Sequence, residues 1–329
     1  MIERDLKMEN QLTIKPYKFL STGFLKAYII TMRPYLMFVS GITGIAGISF
    51  LQLSFLQNII IFIASFLSYG FGQALTDCFQ TDTDSISSPY RPLTQNVVSK
   101  KSFLIISIIG LIFCVSVFSI HNPFNLILGF AAGAGLATYT FFKRRWWGGP
   151  FYNAWIVAVL FLMVFFSSGT ANLKSEVIFP ILAVFFGYAN FVLSGYYKDI
   201  EADRATGYNT FPVKFGRHIP SFVSDLFAFL MMLFGILSIT QTPYPFGKIL
   251  SSLAFFIIGI LFSVYGQLQL HKVNTDFEAH KAITPVVHSY ILILSALVLS
   301  YKPGWLIYLL IFYSGFLLTM KLRPSKEQI

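Results

Sequence analysis

Ten stretches of mostly apolar residues follow one another along the 329-residue chain, over 34–54, 55–76, 103–120, 124–142, 150–171, 177–197, 221–240, 249–270, 282–301 and 304–320. Each is close to the length an α-helix needs to cross about 30 Å of hydrocarbon. In lipid every backbone polar group must be satisfied internally, so only helices and closed barrels span. Barrel strands alternate over about ten residues, whereas these runs are continuous. The sequence therefore predicts an all-α polytopic membrane protein with about ten transmembrane helices. Only 12% of residues are charged, about half the density of a soluble domain.

The net charge of +10 raises the question of a nucleic-acid partner, and the placement of the charges answers it. Of 24 Lys and Arg, 21 fall in the N-terminal segment, the C-terminal tail and the loops after the second, fourth, sixth and eighth stretches. Only Lys174, Lys248 and Lys302 fall in the alternate loops. This is the positive-inside bias of a chain with both termini in the cytoplasm, and it needs no nucleic acid. The expectation is a multi-pass integral membrane protein, which in a bacterium would place it in the inner membrane. Residues 1–22 have no signal-peptide core and read as a cytoplasmic leader. The basic, aromatic stretch 17–33 reads either as an interfacial amphipathic helix or as flexible chain. Cys78 and Cys114 are placed too differently for a disulfide framework or a cysteine metal site.

Six of the 14 acidic residues form two clusters, Asp77, Asp82 and Asp84 after the second stretch and Asp199, Glu201 and Asp203 after the sixth. The clusters are four spans apart, an even number, so one mouth of one cavity can hold both. On a continuous helix Asp77, Gln80 and Asp84 form one stripe, and Asp199 and Asp203 another. Like charges so stacked repel, and a helix C-terminus disfavours them further, so a cation is expected among them. Hard divalent ions such as Mg²⁺ take carboxylate oxygens and share their remaining positions with phosphates. Arg33, Arg91, Lys143 and Lys198 lie on the same side, and such groups bind phosphate oxygens. The pattern suggests a diphosphate held by Mg²⁺.

The motifs resemble the UbiA superfamily of intramembrane prenyltransferases. YYKDIEADRATGYNTFPVKFG at 196–216 is similar to the family's second aspartate motif, and TDCFQTDTDSISSPYRP at 76–92 resembles the first. MRP at 32–34 and YTFFKRRWWGGPFYN at 139–153 are weaker echoes, with Tyr139, Lys143 and Asn153 in matching places. The resemblance implies a nine-helix domain over 23–301 around a central cavity open to the cytoplasmic side, with 302–329 as an added helix and basic tail. It implies Mg²⁺-dependent transfer of an isoprenyl group from an isoprenyl diphosphate to a hydrophobic acceptor, commonly an aromatic ring or quinone precursor. Asp77, Asp84, Asp199 and Asp203 are then the catalytic carboxylates and, with Gln80, the metal ligands. Arg33, Arg91, Lys143 and Lys198 hold the diphosphate, while Tyr139, Asn153 and Tyr196 face the substrate or the allylic cation.

The first motif departs from the pattern, with Thr76 and Gln80 where the family has Asn and Asp and with Asp82 extra. Asp82 reads either as a replacement ligand or as a solvated side chain. Two rival functions remain. One is a terpene cyclase on the same scaffold. The other is a transporter, disfavoured because transporters keep ionisable groups near the bilayer midplane. Gly129 and Gly133, spaced as GxxxG, read as helix packing. His288 reads as a packing residue or a relay, and Asp225 as an interfacial residue or a cap.

Overall fold

The computed structural model describes residues 16–169, 173 and 175–323. Arg4, Lys7, Lys15, Lys174, Lys326, most of the leader 1–22 and the end of 302–329 lie outside them. All regular structure among the described residues is helical: α1 (Thr22–Met32), α2 (Met37–Ile48), α3 (Phe55–Asp77), α4 (Thr81–Ser87), α5 (Lys100–His121), α6 (Asn125–Arg145), α7 (Gly149–Phe166), α8 (Ile178–Gly195), α9 (Ile200–Ala205), α10 (Phe211–Phe215), α11 (His218–Thr240), α12 (Leu250–Leu270), α13 (His280–Tyr301) and α14 (Leu306–Leu322). Nine helices among the described residues, three of them extended by 3₁₀ turns, are long and apolar enough to cross a membrane. They coincide with the second to tenth stretches read from the sequence.

The first stretch differs. In place of one helix over 34–54 the chain forms the shorter α2, preceded by α1, and the two are bent by 63° at a short break. Pro34 supplies the reason, because its ring drives the preceding residue out of the right-handed helical region. Arg33 adopts a left-handed conformation at φ 52°, uncommon for a residue with a Cβ. Of the two readings of 17–33, the helical one holds over 22–32, with one face of α1 buried. Phe24 and Tyr28 pack edge-on against Phe103 of α5, and the Tyr28 hydroxyl meets Ser107 Oγ at 2.8 Å.

Helix ends are fixed by local chemistry. Ser54 and Gln57 form a reciprocal capping box at the start of α3, which satisfies two otherwise orphaned N–H groups. At the same end of the bundle Asn125 Nδ2 donates to the carbonyls of Phe118 at 2.8 Å and Met163 at 2.9 Å. Asn122 Nδ2 donates to Phe166 O at 3.1 Å. Late carbonyls of α5 and α7, which lack partners within their own helices, are thus tied to the start of α6.

Helix α13 is the most enclosed span, with 94% of its apolar window buried against 22% for α14. The last helix is peripheral, as read from the sequence, and docks through Phe312 and Phe316 on Phe38, with ring centroids 4.9 and 5.8 Å apart. His288 is a packing residue: its Nδ1 is 2.7 Å from the Tyr313 hydroxyl and its ring stacks on Phe262. Asp225 pairs with His271 Nε2 at 2.7 Å.

Candidate active site

The two acidic motifs meet at one end of the bundle because each span turns there into a short helix. Helix α3 ends at Asp77, and the chain turns through Cys78–Gln80 before α4 begins. The single-helix stripe expected of Asp77, Gln80 and Asp84 is therefore absent, since the three residues sit on a helix end, a connecting turn and a new helix. The Tyr196–Lys198 turn similarly separates α8 from α9. Asp82, Asp84, Glu201 and Asp203 fall in the first turns of α4 and α9, where the helix dipole favours carboxylates. The expected C-terminal penalty applies to Asp77 alone.

Four of these carboxylates have a basic partner that the sequence does not pair with them. Arg33 Nη2 donates to Asp77 Oδ1 and Oδ2 at 3.1 and 2.9 Å, and Gln73 Nε2 reaches Asp77 Oδ1 at 2.5 Å. Arg91 Nη1 lies 2.7 Å from Asp84 Oδ1. Lys143 Nζ donates to Asp203 Oδ1 at 3.2 Å and Gln80 Oε1 at 3.3 Å, so one ammonium ties the first motif to the second. Thr83 and Thr206 hydroxyls, 2.9 Å apart, add a second tie between α4 and α9. Asp203 is fully enclosed. Asp82 turns away to Arg144 Nη2 at 2.6 Å and the Tyr208 hydroxyl at 3.3 Å.

Burial controls the protonation of these groups. It pushes the Asp203 carboxyl up to about 6, against the pull of Lys143, and raises Asp84 against the pull of Arg91. At Asp82 burial is again the largest single influence, but the hydrogen bond and charge of Arg144 together with the Thr83 backbone N–H outweigh it and leave that carboxyl below its usual range.

Beneath this mouth lies a cavity of about 220 Å³. Arg33, Asp77, Gln80, Asp84, Arg91, Tyr139, Lys143, Asn153, Tyr196, Lys198 and Asp199 all line it, whereas Asp82 and Asp203 do not. Of the tyrosines near this end, Tyr69, Tyr139, Tyr188 and Tyr196 face the cavity. Tyr197 instead donates to Arg217 O, and Tyr152 pairs with Thr138 Oγ1 at 2.6 Å. The hydroxyls of Tyr139 and Tyr196 are 2.7 Å apart, and Gly149 makes room for them, since a Cβ there would lie 2.2 Å from Tyr196 Oη.

Sequence reasoning missed Gln73 and Tyr208. The i, i+4 spacing of Gln73 and Asp77 is a usable signal. Tyr208, whose ring lies 4.9 Å from Lys143 Nζ and 4.3 Å from the Arg144 guanidinium, has none.

Oxygen donors of the kind a hard cation prefers are present. Among the described residues, no three His, Cys, Asp or Glu side chains stand close enough to hold one ion, because Arg and Lys groups occupy the carboxylates. The site is thus a cradle of paired charges, open to an anion whose phosphate oxygens complete a cation's shell.

A charged mouth above a largely apolar cavity inside a bundle of membrane-length helices defines the class of intramembrane helical protein. Residues 37–284, about three quarters of the chain, match the UbiA prenyltransferase family, and the chain belongs to it. The digeranylgeranylglyceryl phosphate synthase of Methanococcoides burtonii is 25% identical over 72% of this chain and 86% of its own length. That of Methanococcus aeolicus is 27% identical over 55% of this chain and 61% of its own length. The structure of a UbiA homologue from Archaeoglobus fulgidus bound to DMAPP and Mg²⁺ shares the fold, with a TM-score of 0.60 and 15% identity, covering 84% of this chain and 99% of that one.

Proposed function

We propose that the protein is a Mg²⁺-dependent intramembrane prenyltransferase that moves an isoprenyl group from an isoprenyl diphosphate to a hydrophobic acceptor. The observation that carries this reading is the cavity itself, with Asp77, Asp84, Asp199, Arg33, Arg91 and Lys198 at a polar mouth above apolar walls. Asp77, Gln80, Asp84 and Asp199 would hold Mg²⁺, which supplies charge neutralisation for the departing diphosphate. Arg33 and Arg91 exchange their carboxylate partners for phosphate oxygens, for which their guanidinium groups are suited. Asp203 acts through Lys143, keeping its ammonium charged and fixed at the rim.

When the allylic C–O bond breaks, the electron pair leaves with the diphosphate. The rings of Tyr69, Tyr139, Tyr188 and Tyr196 present π faces to the carbocation, each worth about 0.5–2 kcal/mol. The acceptor then bonds to the cation and loses its proton. The mouth is expected on the cytoplasmic side, where the basic loops lie.

Two acceptor classes are in play. The resemblance read from the motifs implies an aromatic or quinone-precursor ring, while the names of the relatives favour a glyceryl phosphate lipid. Purified protein, Mg²⁺ and isoprenyl diphosphates would be incubated with each acceptor class and without any. Acceptor-dependent diphosphate release supports the proposal and selects the class. Release without acceptor, yielding a cyclic hydrocarbon, supports a terpene cyclase instead, and no release under any condition removes the diphosphate reading.

A further inference from the structure

The geometry points to the apolar arm between α5, α6 and α7 as the bed of the donor's isoprenoid tail, with Gly133 as the residue that sets the length it accepts. This inference rests on the prenyl-transfer reading. Leu111, Cys114 and Phe118 of α5, Ala132 and Gly133 of α6, and Met163 of α7 all line the cavity below its polar mouth. No charged group is among them, so the arm suits hydrocarbon.

Helix α6 supplies a ruler, because Lys143 is at the mouth and the helix runs away from it. At 1.5 Å per residue, Tyr139 lies about 6 Å below Lys143, Gly133 about 15 Å and Gly129 about 21 Å. An extended isoprene unit adds four carbon–carbon bonds of roughly 1.5 Å, or about 5 Å along the chain. The arm therefore takes about four units, and Gly133 stands beside the third.

The glycines of α6 are not alike. A Cβ on Gly129 would lie 2.4 Å from Val115 Cγ1, and one on Gly135 would lie 2.6 Å from Trp155. Those two allow helices to touch. A Cβ on Gly133 would meet nothing within 4 Å, so its missing side chain is cavity space. Gly133 thus departs from the packing role read for GxxxG, while Gly129 keeps it. The floor is firm: Phe118 is 1% exposed, and the Phe118 and Met163 carbonyls are both held by Asn125. A tail reaching the floor must stop or displace buried hydrogen bonds.

The test compares kcat/KM of detergent-purified wild type and variants with Mg²⁺ and diphosphates of 5, 10, 15, 20 and 25 carbons. Wild type is expected to favour the 20-carbon donor over the 10-carbon one at least tenfold. Gly133→Phe should lower the 20-carbon value at least tenfold and leave the 10-carbon value within threefold, with Gly133→Leu intermediate. Phe118→Ala changes length in the other direction and should improve use of the 25-carbon donor. Equal loss at all lengths in monodisperse Gly133→Leu, or length dependence unchanged in both Gly133→Leu and Phe118→Ala, overturns the inference while leaving prenyl transfer intact. A shift in the acceptor chain length preferred, with the donor preference unchanged, assigns the arm to the acceptor and likewise overturns it. No turnover of any donor by wild type overturns the prenyl-transfer reading and the tail bed with it.

Discussion

Replacing Lys143 by Met removes an ammonium that bridges the two acidic motifs. The partner, Asp203, has a side chain 0% exposed against 5% for Lys143, and the ion-pair distance is 3.2 Å. At an effective dielectric of about 20 the attraction is about 5 kcal/mol. Breaking such a pair from one side typically costs about 3–5 kcal/mol, because the remaining charge stays buried. Asp203 limits this cost by taking up a proton, since burial already holds its carboxyl up at about 6 with Lys143 present. Without Lys143 that value rises further above the unfolded value of 3.8. The folded variant then binds more protons than the unfolded chain, and its stability falls as pH rises through the folded value.

The expected result is a loss of about 3–5 kcal/mol near pH 8 that shrinks by pH 5.5, read by thermal or denaturant unfolding in detergent. Lys143→Met with Asp203→Leu removes both charges and should recover most of the stability, while activity stays at least about 10²-fold down. A single variant that loses less than about 1 kcal/mol, or whose loss is the same at both pH values, would refute the buried-pair account. A double variant that regains activity would refute the role of Lys143 at the rim.

Further outcomes follow from the same geometry. Asp84→Asn should reduce turnover by about 10² or more at saturating Mg²⁺. Asp82→Asn, whose pair with Arg144 is 41% and 36% exposed, should stay within about 1 kcal/mol in stability and within a few-fold in activity, and an equal loss in the two variants would show that Asp82 reaches the substrate. Protons and Mg²⁺ compete for the Asp84 carboxylate, which burial raises, so the Mg²⁺ concentration for half-maximal activity should climb as the pH falls; a flat Mg²⁺ requirement from about pH 5 to 8 would contradict this. Asn125→Leu strips donors from two buried carbonyls and should destabilise by about 1–3 kcal/mol, measured by unfolding in detergent, and a neutral effect would show that the far end of the bundle is not held there.

Much of the architecture is legible because lipid leaves few choices. A helix long enough to cross must be apolar for about twenty residues, so nine of ten expected stretches correspond to spans. The exception, 34–54, is informative: the steric effect of Pro34 on Arg33 is local and visible in MRP, but a hydropathy run does not show that the helix bends. The same bend accompanies the delivery of Arg33 to Asp77. The motif aspartates were legible as residues and illegible as geometry. Spacing assumed a continuous helix from Asp77 to Asp84, while the chain turns at Cys78–Gln80 and starts again.

The sequence by itself determined the all-helical membrane class, the gathering of acidic and basic residues at one end, and the family, since hydrophobic length, loop charge and motif spacing are properties of the chain read along its length. The tertiary structure decided which base meets which carboxylate, which four tyrosines of the many face the cavity, and which glycine of α6 is space and which is contact. Those facts depend on distances between helices far apart in the chain, and packing of the whole bundle sets them.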